Sequence, residues 1–167
     1  MFMFNKNNWH EPIYKEDVKQ VITNGLIAAI LGGILGGALD YLFNVVLKFP
    51  ISFSLIIMVL FIGYRTKKGY YSYHILYPVL AILFLILSIF FCIYSFYAIS
   101  HMVIGEYRIY LIFTYPSFWI SFITSPISAL LFGINNSDVG NIIYGVIDLI
   151  FYIWAFWFVY RMVKGKN

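Results

Sequence analysis

Apolar residues run along this chain in long unbroken stretches, and the polar residues gather in the short gaps between them. Four stretches, at about 21–47, 49–64, 71–100 and 141–162, read as membrane-crossing helices, which need about 20 apolar residues each. The second is short, about 24 Å at 1.5 Å per residue, and must stand nearly upright. Apolar positions do not alternate with polar ones along these stretches, which disfavours a β-barrel. A fifth stretch, 109–133, is long enough to cross, but Pro116 and Pro126 cut it into pieces.

Charge decides how the fifth stretch is read. If it does not cross, Lys6, Lys15, Lys19, Arg65, Lys67, Lys68, Arg161, Lys164 and Lys166 share one side, and only Lys48 and Arg108 face the other. If it does cross, the last three change sides and the asymmetry vanishes. Lys and Arg concentrate in cytoplasmic loops. The expected fold is therefore all-α: a polytopic membrane protein, a four-transmembrane-helix bundle with both termini cytoplasmic, or on the matrix side of an organelle inner membrane. Residues 109–133 become an outer re-entrant or interfacial segment, and 21–167 form one membrane domain. Such broken backbone is tolerated at membrane depth only where protein or water covers it. Residues 1–20 carry no secretory signal. They read as a cytoplasmic leader in which Pro12, Ile13, Tyr14, Val18, Val21 and Ile22 suggest a short interfacial helix.

The first span differs from the rest in being built of small residues. Gly25, Ala29, Gly33 and Gly37 form one row, and Ala28, Gly32 and Gly36 form another that runs on into Asp40 and Asn44. Residues four apart share a helix face. Lipid tails are as apolar as Leu, so helices in a membrane associate through close backbone approach rather than hydrophobic gain. These rows, with Gly145 in the last span, predict tight helix packing, against a neighbouring helix or a second copy of the chain. The third span is Phe, Leu and Ile all round and reads as structural, whether lipid-facing or central.

Composition sharpens this picture. The chain has 167 residues, 62% hydrophobic and 11% charged, with a mean hydropathy of +0.86. A soluble domain of that length needs more polar surface. The net charge of +4 suits an anionic lipid surface, and no basic stretch is long enough for nucleic acid. The single cysteine, Cys92, excludes an intrachain disulfide.

Two acids lie inside the apolar spans. Asp40 and Asp148 each fall about seven residues, or about 10 Å, from the outer end of their helix. An ionisable group there costs at least about 2.5 to 3.5 kcal/mol on insertion scales, and this makes it a functional candidate by default. Matched depth, and neighbouring Gly36, Gly37 and Gly145, point to one polar cavity shared by Asp40 and Asp148, with Asn44 and Tyr144 beside them. The structural alternative is an ion pair between one acid and Arg108 of the outer loop. His10, His74 and His101 are far apart, and there is no HExxH, so no metal is expected. No cofactor-binding loop, GxSxG or catalytic pairing is visible. The stretch Gly36-Gly37-Ala38-Leu39-Asp40 does not match the GxGD of intramembrane aspartyl proteases. Two functions follow as expectations. One is a non-enzymatic accessory, assembly or interaction protein, whose partners are the lipid bilayer and a second copy or other membrane subunits. The other is a small transporter or channel component with Asp40 and Asp148 on a proton or cation path.

Overall fold

A computed structural model describes residues 13–48 and 54–164. The leader to Pro12, with Lys6 and His10, the first residues of the second span and Lys166 lie outside the described residues. Every described regular element is helical. In chain order these are α1 (Lys15–Tyr41), a π-helical turn (Leu42–Val46), α2 (Ser54–Lys67), α3 (Leu76–Val103), a 3₁₀ turn (Ile109–Thr114), α4 (Pro116–Thr124), α5 (Ser128–Asn136) and α6 (Val139–Lys164). Three helices are long and apolar enough to cross a membrane: Lys15–Val46, Leu76–Val103 and Val139–Lys164.

Several boundaries differ from expectation. α1 begins at Lys15 and runs unbroken, so Val18, Val21 and Ile22 belong to it rather than to a separate interfacial helix. α2 passes Tyr64 and ends at Lys67, where Arg65 and Lys67 face the negative end of the helix dipole. α3 begins only at Leu76, and Pro78, at its third position, lacks an N–H that the first turn would leave unpaired anyway.

Helices α1, α2, α3 and α6 pack around one apolar core. α1 contacts α3 and α2, α6 contacts α2 and α3, and α1 and α6 stand on opposite sides with little direct contact. The two small-residue rows of α1 have separate partners. Gly25 abuts Phe84, Gly33 abuts Ser88 and Phe91, and Gly37 abuts Cys92 and Ser95, all on α3. Gly32 and Gly36 face Met58 of α2. The glycine face is thus filled within the chain. α3 is not the featureless apolar helix its composition suggested: Ser88, Cys92 and Ser95, at i, i+4 and i+7, form the small stripe that receives α1.

Seven cations, Lys15, Lys19, Arg65, Lys67, Lys68, Arg161 and Lys164, gather at one end of the bundle, where α1 and α3 begin and α2 and α6 finish. This end is closed by direct contact. Gly69 lies against Val21, the Tyr70 hydroxyl donates to the Val163 carbonyl, and Tyr70 stacks on Tyr77. The buried Asp17 carboxylate accepts from the Tyr71 and Ser72 amides at 3.3 and 3.5 Å and from the Ser72 hydroxyl at 3.4 Å. Burial, then the neighbouring Tyr77, pushes the Tyr70 phenol up to about 12.

The opposite end is built by a helical hairpin. Pro116 opens α4 at its first position, and Pro126 lies in the turn before α5. α4 runs antiparallel to α3: Tyr115 stacks on His101, Ser121 bonds Tyr97 and Phe122 packs on Phe90. Phe90 is thirteen residues before the end of α3, so the hairpin reaches about 20 Å down the bundle. α5 returns antiparallel to α6, with Gly133 against Asn141 and Ile142, and Gly145 against the Leu130 backbone. Polar side chains of these short helices bond back onto nearby carbonyls. Trp119 donates to Phe113 at 2.8 Å, Thr124 to Ile120 at 2.8 Å, Ser125 to Phe122 at 3.2 Å and Asn136 to Phe132 at 2.9 Å. Asp138 caps α6, accepting from the Gly140 amide at 2.9 Å.

Candidate functional site

The hairpin does not fill the space it enters. Between α1, α3, α6 and the hairpin lies a cavity of about 520 Å³. α1 and its π-helical continuation contribute Asp40 and Asn44. α6 contributes Asn141, Tyr144, Asp148 and Tyr152. α3 contributes Cys92, Ile93, Phe96 and Tyr97, and the hairpin adds Ser121, Ser125, Ser128 and Phe132. Asp40, Asn44, Tyr144 and Asp148 therefore line one space, although α1 and α6 stand on opposite sides of the bundle.

Local sequence explains each position. Asp40 and Asn44 are four apart, so both continue the row of α1 that includes Gly36, which faces Ser54 and Met58 of α2. The π-helical turn begins two residues after Asp40, and such turns are frequent where a helix departs from regular packing at a site. The Asn44 amide donates to the Asp40 carbonyl at 2.9 Å. One Asp40 oxygen, Oδ2, accepts from the Cys92 thiol at 3.3 Å, and the Ser54 hydroxyl also faces this carboxylate. The other, Oδ1, is buried and has no protein partner. Asp148 is close enough for the two carboxylates to feel each other's charge.

Two hydroxyl contacts join the hairpin to the bundle across the cavity wall. Tyr97 and Ser121 lie 2.8 Å apart, and Tyr152 bonds Ser125. Asn141 is tied back to Asp138, its amide donating at 2.6 Å. Among the described residues, no Lys, Arg or His lines the cavity, and the formal charges in its wall are the two acids. Arg108 is exposed, in the loop before the 3₁₀ turn, and is not part of the wall. His101 pairs with Glu106 at 2.7 Å, outside the cavity. Among the described residues, no three His, Cys, Asp or Glu side chains converge as a metal site would require.

The glycines singled out from sequence serve two regions. Gly25, Gly32, Gly33, Gly36 and Gly37 seat α1 on its neighbours, whereas Gly145 seats the hairpin on α6. The residues that sequence reasoning passed over are Cys92, Tyr97, Tyr152 and the hairpin serines. A Ser inside an apolar helix ordinarily bonds its own backbone. A signal was nevertheless present, since Ser121, Ser125 and Ser128 recur at i, i+4 and i+7 across Pro126. No known protein family, curated protein or solved structure matches this chain.

Proposed function

We propose that the chain is a four-span protein of a cell or organelle inner membrane, with both termini on the cytoplasmic or matrix side, and that it handles a cation or proton in the Asp40–Asp148 cavity as a small transporter or channel component. In this reading α2 is the fourth span, completed by residues before Ser54. The α4–α5 hairpin is re-entrant from the outer side. The gathering of seven cations at one end of the bundle supports the orientation. An exposed apolar stripe on α6, Ile143, Val146, Ile150, Ile153 and Trp157, supports lipid contact. The hairpin's helical backbone, packed on α3 and α6, suits such a depth.

The observation that carries the functional reading is the convergence of two acids, from helices on opposite sides of the bundle, on a polar cavity with no cation in its wall. Carboxylates in a low-dielectric site attract a positive charge. The accessory or assembly reading has less support, because the glycine rows, expected to pack on a neighbouring helix or a second copy, are filled by α2 and α3 of the same chain. Cys92 lines the cavity and is the chain's only cysteine, so it reports on the site directly. A thiosulfonate reagent bearing an ammonium should modify Cys92 faster than one bearing a sulfonate, by about tenfold or more, as focused negative potential requires. Asp40→Asn and Asp148→Asn should each shrink that ratio and abolish cation or proton flux in proteoliposomes while leaving a folded protein. An unreactive Cys92, or equal rates for the two reagents, would remove the reading.

A further inference from the structure

The cavity's walls say more about its occupant than its charge does. We infer that the occupant is a small organic ammonium with N–H donors, a diamine fitting best, rather than an inorganic ion; this rests on the cavity being the functional site. A bare divalent ion sits on six or more oxygens at about 2.3 to 2.6 Å. No three chelating side chains converge here among the described residues, and a volume of about 520 Å³ leaves most of the space to something other than an ion. That volume falls in the range of about 300 to 1,000 Å³ typical of small-molecule sites.

The wall chemistry matches an amine at three points. The buried, unpartnered Asp40 Oδ1 is an acceptor waiting for a donor, and Asp148 supplies a second carboxylate on the opposite helix. A primary ammonium carries three donors and no acceptor, and two carboxylates from different helices suit two such groups. Ser125 and Ser128 oxygens on the hairpin can accept the remaining N–H bonds. Phe96 and Phe132 also line the cavity and offer apolar cover to a carbon chain.

The experiment uses full-length protein in detergent and follows alkylation of Cys92 by uncharged N-ethylmaleimide. The competitors are 1,4-diaminobutane, tetramethylammonium, sodium and magnesium chloride at matched ionic strength. Diaminobutane should slow alkylation at the lowest concentration, and tetramethylammonium, a cation without N–H, should need about tenfold more or higher, the worth of a charge-assisted hydrogen bond. Asp40→Asn and Asp148→Asn, checked for monodispersity, should each weaken protection by diaminobutane by about tenfold or more. If a variant does not fold, the ranking of competitors on the unaltered protein still decides. Equal protection by sodium or magnesium would overturn the inference and leave the cation reading standing. So would equal protection by tetramethylammonium, because N–H donation is then not recognised. Charge-selective modification of Cys92 with no protection by diaminobutane would also overturn the inference alone. A Cys92 that no reagent reaches would overturn both.

Discussion

The two ends of this bundle use similar residues to opposite effect. At the basic end the connecting loop is tied down within the chain: Asp17 holds the Tyr71 and Ser72 amides, Tyr70 holds the Val163 carbonyl, and Gly69 brings its loop onto Val21, while the buried Thr66 and Tyr77 hydroxyls that lack a hydrogen-bond partner there are neutral. At the other end, Asp40 keeps an oxygen without a partner, and a hairpin stands where helices would otherwise meet. A buried acceptor without a donor is costly. The unpartnered oxygen at the open end belongs to a carboxylate that lines a cavity, and on this difference the proposed site rests. The packing of α1 runs through both, so the sharpest ways to test the contrast are substitutions that disturb one end without the other.

The largest effect is expected on α1. A Cβ at Gly37 would overlap the Cys92 carbonyl and come within 2.7 Å of Ser95 Cβ, and most of what it meets is backbone that cannot turn aside. A Cβ at Gly36 would lie 3.4 Å from the flexible Met58 side chain. Gly37→Ala should therefore cost about 1 to 3 kcal/mol or more through overpacking. Gly36→Ala should be neutral, or stabilise by up to about 1 kcal/mol through helix propensity. Thermal unfolding in detergent distinguishes them. Equal melting temperatures would mean that α1 does not seat on α3 through this row.

A smaller and more local effect is expected at the hairpin. Gly145→Ala would drive a methyl group into the Leu130 backbone, but the hairpin contacts the bundle on one side and can yield outward. The melting temperature should fall less than for Gly37→Ala, and Cys92 alkylation should speed up as the cavity opens. A large loss of stability with unchanged Cys92 reactivity would show that the hairpin is part of the core rather than a wall added to it.

These contrasts also explain how much could be read from sequence. Pro116, Pro126 and the Asn135-Asn136-Ser137-Asp138 turn mark the hairpin because proline and cap residues act locally. The two glycine rows and the spacing of Asp40 and Asn44 were legible because helical periodicity is also local. Which partner each row meets was not, since it depends on how α2 and α3 flank α1. Asp17 was passed over as part of a solvated leader, yet it lies in α1 and is buried by a loop 54 residues away. Cys92 was hidden in the same way: nothing in an apolar run announces which residue will face an aspartate from another helix.

The smallest effect belongs to the closed end and separates one hydrogen bond from its surroundings. Tyr70 donates to the Val163 carbonyl only while protonated. Tyr70→Phe keeps the ring stacked on Tyr77 and removes only the hydroxyl, so at neutral pH it should cost about 1 kcal/mol, the net worth of such a bond. The phenol's ordinary value of 10.0 rises to about 12 in the fold, because burial and Tyr77 disfavour the phenolate. A group raised on folding stabilises fully below its unfolded value and loses that contribution as pH rises through its folded one. Before solvent screening such a rise is worth up to about 2.7 kcal/mol, more than the bond itself. The stability gap between the unaltered protein and Tyr70→Phe should therefore be constant up to about pH 10, then close and reverse before about pH 12. Lysines and other tyrosines titrate in the same window but are common to both proteins, so the difference isolates Tyr70. In neither variant nor parent should the neutral-pH charge selectivity at Cys92 change, because Tyr70 sits at the far end of the bundle from the cavity. A shift in that selectivity would show that the two ends are coupled rather than separate.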